Sequence, residues 1–146
     1  MDISINKGKI KIKGKSAGAE VDGGVLITRP DGTDFTIDSP GEYEAGGISV
    51  IGVAAFSTCI YVVEVDGLRI CVLNSQIQEK LPSNLLDALG PIDITVSEKL
   101  DLAKQTDPYV AVITKAEPGL SEPVVKYSVT LEKLPQDLQV VVLTTK

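Results

Sequence analysis

Two cysteines, a closely spaced glutamate pair, a row of lysines and no histidine at all make up the chemistry this chain of 146 residues offers. Without an imidazole no Ser–His or Cys–His nucleophile assembles, and no histidine-based zinc site forms. Cys59 and Cys71 stand twelve positions apart in strand-like text with no Cys-x-x-Cys. Two thiolates alone cannot close a tetrahedral zinc site, so two buried, reduced thiols are expected. Glu42 and Glu44 flank Tyr43. A strand there would put both carboxylates on one face, which acid–base hydrolysis or a hard cation needs. Nothing else converges on them in sequence, and a solvated face is the plainer expectation. Gly14-Lys15-Ser16 has the ending of a phosphate-binding loop, but position 9, where the first glycine belongs, is Lys. Ser75 has no His to activate it, and Lys115 becomes a base only if burial lowers its pKa.

The lysines are regularly placed. Lys7, Lys9, Lys11, Lys13 and Lys15 alternate with Gly8, Ile10, Ile12 and Gly14, a strand with one face on a core. An anion or RNA would suit such a row, yet no aromatic interleaves to stack bases. A charged edge strand that resists aggregation is the expectation. The net charge of −6, from 14 Lys+Arg against 20 Asp+Glu, argues against nucleic acid as a general partner. A basic first strand on an acidic body favours pairing between like chains.

Strands dominate the elements that must position these groups. Val25–Thr28 and Asp34–Asp38 flank Arg29-Pro30-Asp31-Gly32, a hairpin turn, with Phe35 and Ile37 inward. Asp22-Gly23-Gly24 reads as a turn, and Ser39-Pro40-Gly41 as a break. The runs at 48–56, 59–65 and 68–73 are strands, the last two joined by Asp66-Gly67, a type I′ signal. Helices are expected at about 82–89, opened by Pro82 and Ser83 and stopped by Gly90, and at about 98–105. Strands at 92–96, 109–113, 124–132 and 139–143 complete the chain. Tyr109–Ile113 and Val140–Leu143 are apolar on both faces, as where helices cover a sheet. Ile3, Ile5, Ile10, Ile12, Val62, Val63, Leu73, Leu85, Leu89, Val112 and Val141 are the candidate core or interface residues.

No secretory leader opens the sequence, and no apolar run approaches 18 residues. A cytoplasmic chain of one domain, 1–146, with no membrane contact is expected.

The order of segments resembles the metallo-β-lactamase superfamily, in its branch of metal-dependent hydrolases related to L-ascorbate-6-phosphate lactonase. The resemblance rests on Ser39-Pro40-Gly41-Glu42-Tyr43-Glu44, Gly47-Ile48 and the hairpin Ile60 to Cys71. It continues through Leu85–Gly90 with Pro91-Ile92-Asp93-Ile94, Ala103–Pro108, and Leu134-Pro135 to Leu143. Together these span roughly residues 38–146.

The resemblance implies an αββα sandwich whose chemistry belongs to one or two metal ions held by a His-x-His-x-Asp-His loop, later histidines and an aspartate. Here the stretch that would carry the His-rich loop is missing. The bridging aspartate falls at Ser75, and the terminal histidine near Thr114 or Lys115. The expected fold is therefore α+β and β-rich: a truncated sandwich of two mostly antiparallel or mixed sheets with about two short helices. No metal, no cofactor and no catalytic residue is expected. Asn74, Ser75, Thr114 and Lys115 are the candidate ligand-binding residues of a vestigial site. Without the family's N-terminal helices, one sheet would have a bare outer face. Either its strands alternate, or a second chain covers it. Both are expected, with a homodimer or larger oligomer, and a protein partner is a further reading. The function expected is that of a non-catalytic interaction or binding module. The alternative is a residual hydrolase of lactones or phosphoesters, using a carboxylate-held cation or no metal. It requires three or more acidic residues around Ser75.

Overall fold

Period-two patterning in the first half of the chain builds one sheet, and the more continuously apolar strands of the second half build another. The computed structural model describes residues 1–145. Sheet one contains β1 (Asp2–Asn6), β2 (Lys9–Lys13), β3 (Gly18–Val21), β4 (Val25–Thr28) and β5 (Asp34–Ile37). All are antiparallel, and β12 (Lys126–Ser128) closes the far edge against β1. Sheet two contains β6 (Gly41–Ala45), β7 (Ile48–Ala55), β8 (Thr58–Val65), β9 (Leu68–Val72), β10 (Ile94–Ser97), β11 (Val110–Ile113) and β13 (Gln139–Val142). Its order is β13-β11-β10-β9-β8-β7-β6. The pairs from β6 to β9 are antiparallel, and those joining β9, β10, β11 and β13 are parallel. The mixed pairing follows from the crossovers: α1 (Ser83–Leu89) links β9 to β10, and α2 (Leu100–Lys104) links β10 to β11.

Between the sheets lies the main core, with Ile3, Ile12, Ile27, Val63, Ile70, Val96 and Val112 buried. Ile5 and Ile10 pack against it. Outside sheet two, Leu85 and Leu89 of α1 cover Ile60, Val62, Cys71 and Leu73. Ala103 in α2 packs on Ala111 and Ile113. This is why all four residues of β11 are buried. The architecture is thus sheet on sheet with both helices on one outer face, the β-rich α+β sandwich the sequence predicts.

The other outer face carries no helix. Asp2 and Ser4, Lys9, Lys11 and Lys13, Glu20, Thr28 and Asp34 alternate with the core positions on their strands. Strand alternation is therefore the device that makes this face tolerate water.

Several local expectations are corrected. The lysine row is not an edge strand: β2 lies between β1 and β3, and the edges are β12 and β5. Nor does its strand run from 7 to 15, because Lys7 and Gly8 have φ of 52° and 80° and form the β1–β2 turn. In the predicted strand 124–132 only Lys126–Ser128 forms a strand, and Leu131–Lys133 is a 3₁₀ turn. The helix cap at Ser83 is absent: Pro82 holds the N-cap position and no side chain caps the helix. Three strands go unread in the sequence, β1, β3 and β6, the last raised only as a condition for the Glu42–Glu44 face.

Candidate functional site

A cleft of about 260 Å³ opens where sheet one meets the C-terminal ends of the parallel strands. The β1–β2 and β3–β4 turns supply Gly8, Asp22 and Gly23, while Val72, Leu73 and Val96 make apolar walls. Loops that leave parallel strands at this end are where α/β sheets place ligands. Asn74 and Ser75 follow β9, Ser97 ends β10 and Glu98 follows it, and Thr114 follows β11; all five line the cleft. Three of the four candidate residues thus come together. Lys115 does not line the cleft. It stands at the rim, its Nζ 3.2 Å from Glu98 Oε2.

Much of the polar inventory is already committed. Asn74 Nδ2 donates to Thr58 Oγ1 at 2.9 Å, and its Oδ1 accepts from the Gln76 amide at 2.9 Å. Ser97 Oγ donates to the Lys99 carbonyl at 2.6 Å. Thr114 Oγ1 reaches the Ser97 carbonyl at 3.5 Å. These bonds hold the strand-end loops to one another.

Tyr61 is different. It lies on β8 on the inner face of sheet two, lines the same cleft and is 1% exposed. Its hydroxyl has no partner of good hydrogen-bond geometry and faces the Cys59 thiol. Burial holds the phenol protonated well above its ordinary range, and the neighbouring Cys59 thiol adds to this. Burial likewise raises Cys59, the other soft group in the cleft. Cys59 belongs to the face between the sheets and Cys71 to the face beneath α1, so both stay free thiols.

The donor set does not fit zinc. The cleft offers two carboxylates, Asp22 and Glu98, the second paired with Lys115, and no imidazole. Among the described residues no three His, Cys, Asp or Glu side chains gather closely enough to hold a metal ion. Glu42 and Glu44 lie exposed on β6, while Tyr43 between them turns toward the core. Gly14-Lys15-Ser16 forms a turn closed by the Gly14 amide on the Ala17 carbonyl at 2.9 Å. A Cβ at Gly14 would lie 2.5 Å from Val65 Cγ2, so that glycine lets the turn sit on β8.

The residues missed in sequence are Tyr61, Ser97 and Glu98. The last two are polar residues at the end of a buried strand, a position the family resemblance did not mark. No sequence signal marks the unpaired hydroxyl of Tyr61.

No protein-family model and no curated protein matches the chain. Among solved structures it is similar to a candidate zinc-dependent hydrolase of the metallo-β-lactamase superfamily from Thermotoga maritima. The TM-score is 0.67 at 17% identity, with 99% of each chain covered. The layers, the crossovers and this likeness agree: the chain has the metallo-β-lactamase fold.

Proposed function

We propose that this chain is a metal-independent relative of metallo-β-lactamase-fold hydrolases, and that its strand-end cleft serves as a binding site without hydrolysing what it binds. The observation that carries this reading is the cleft itself, where Asn74, Ser75, Ser97 and Thr114 gather at the strand ends over the buried Tyr61 phenol, with no imidazole among them. The surrounding groups suit binding better than turnover. The phenol stays a neutral donor, the Glu98 carboxylate is neutralised by Lys115, and Asn74 and Ser97 are held in place by their own bonds. None is an activated nucleophile. The Thermotoga maritima chain is described as zinc-dependent, whereas the donors gathered here do not match that metal.

The test pairs activity with binding. The protein is assayed against a lactone and a phosphomonoester with and without added Zn²⁺ or Mn²⁺, and screened by NMR with small carbonyl-bearing fragments. No turnover is expected, with fragment-induced shifts clustered at the cleft and lost in Tyr61→Phe. Hydrolysis abolished by Asn74→Ala with Ser75→Ala overturns the reading, and so does the absence of any binder at the cleft.

A further inference from the structure

We propose that a second site, on the opposite outer surface, binds a small polyphosphate-type anion. It is a hollow of about 330 Å³ on the solvent face of sheet one. Lys11 and Lys13 on β2, Lys15 in the β2–β3 turn and Arg29 after β4 line it, against the single carboxylate of Glu20. Four cations and one anion thus share a concavity on a chain whose net charge is −6.

The hollow follows from a missing side chain. Gly18 on β3 pairs with Lys13 on one side and Thr28 on the other, where the alternation turns side chains outward. Having no side chain, it leaves a floor between the lysines of β2 and the Thr28–Arg29 end of β4. Its backbone also runs close to β2, since a Cβ there would lie 3.1 Å from the Ile12 carbonyl oxygen.

The ordinary reason for lysines on a strand does not apply. Charged side chains guard exposed edges, but β2 is paired on both sides, with β1 and with β3. The lysines are not spent on ion pairs, whereas the Arg29 guanidinium is already held by the Thr33 hydroxyl at 3.1 Å and the Asp34 carbonyl at 3.3 Å, over the Phe35 ring. Among the described residues the salt bridges are Lys115–Glu98 and Lys126–Asp2, neither involving the four. Like charges gathered in a concavity raise the local potential and attract a counter-ion.

Shape and composition choose the class of ligand. No aromatic lines the hollow, so nothing there stacks a base, and the phosphate chain supplies the affinity. A volume at the lower end of the small-molecule range suits a short polyanion rather than a duplex. Whether the phosphates arrive free or on a nucleotide is decided by comparing the two.

The probe is inorganic tripolyphosphate, titrated without metal into the ¹⁵N-labelled full chain, with ATP in a parallel titration. Saturable amide shifts are expected at residues 11–20 and 28–29. They weaken sharply in about 0.5 M salt. Lys11→Glu with Lys13→Glu raises Kd at least about tenfold. Lys9→Glu, on the same strand and face but outside the hollow, changes Kd less than about twofold. ATP binding no tighter than tripolyphosphate supports recognition of the phosphates alone. The proposal fails if no saturable shifts occur, or if Lys9→Glu weakens binding as much as the double variant. It also fails if a single-stranded RNA binds more tightly across the whole face.

Discussion

Arg69 closes the helix that Leu89 ends. From β9 its Nη2 donates to the Leu89 carbonyl at 3.1 Å, and its Nη1 to the Pro91 carbonyl at 2.7 Å. The last carbonyls of a helix have no partner within it, and a cation there also opposes the helix dipole. Beside it, the Asp93 carboxylate accepts from the Arg69 amide at 2.8 Å. One residue therefore fixes α1 to the strand it covers.

Arg69→Ala should lower stability by about 1–2 kcal/mol, because it removes two bonds and strands the part-buried Leu89 carbonyl. The measurement is the urea midpoint at constant slope. Gly90→Ala should also destabilise. Its φ is 74°, and a Cβ would lie 2.9 Å from Arg69 Nη1.

Asp66 joins the two sheets. It occupies the left-handed position of the β8–β9 turn with φ 53°, and its Oδ2 accepts from the Lys15 amide at 3.0 Å. Asp66→Asn should be nearly neutral, since Asn tolerates that conformation and retains an acceptor. Asp66→Ala should cost about 1–2 kcal/mol by losing both. Paired thermal melts separate the two variants.

The thiols make a prediction about pH. Burial pushes Cys71 up to about 12 from an ordinary 9.0. Between those values the folded chain holds a proton that the unfolded chain has released. Stability therefore falls as pH rises through this window, by up to about 1.4 kcal/mol per pH unit. Cys71→Ala should flatten that slope in denaturant titrations from pH 9 upward. In the native protein at pH 8, Cys71 should resist alkylation until denaturant is added.

The outer face of sheet one makes a prediction about mass. Its alternation turns mostly polar side chains outward, Leu26 of β4 being the large apolar residue among them. Reversing Lys11 and Lys13 to Glu should leave the native mass unchanged, whatever multiple of the chain that mass is. Native mass spectrometry of both proteins reads this directly.

The hairpins at Arg29–Gly32 and Asp66-Gly67 were legible because turn chemistry is local, and α1 because Leu85 and Leu89 repeat beside a terminal glycine. Asn74, Ser75 and Thr114 were legible only through the family resemblance, which puts lost metal ligands there, and the ends of the parallel strands bring the three together. β1 and β3 were not, since short runs of small or mixed residues have too little pattern of their own. The interior position of β2 depends on those two unread neighbours, so nothing in the lysine row itself tells it from an edge. The unpaired Tyr61 hydroxyl is a property of what surrounds it in space. The same is true of the Glu98–Lys115 pair, whose members come from different loops.

The pairing of Asp2 with Ser128 also bears on how the chain comes together in time. Strands β1 to β5 follow one another in sequence and zip by short hairpins, cheap in loop entropy. The outer edge of β1 must wait for residues 126–128, and the Met1 amine meets the Val129 carbonyl at 3.2 Å only then. During synthesis this edge stays open until residues 126–128 have emerged. Long-range closures of this kind slow folding, and in the interval the open strand can be captured by another chain.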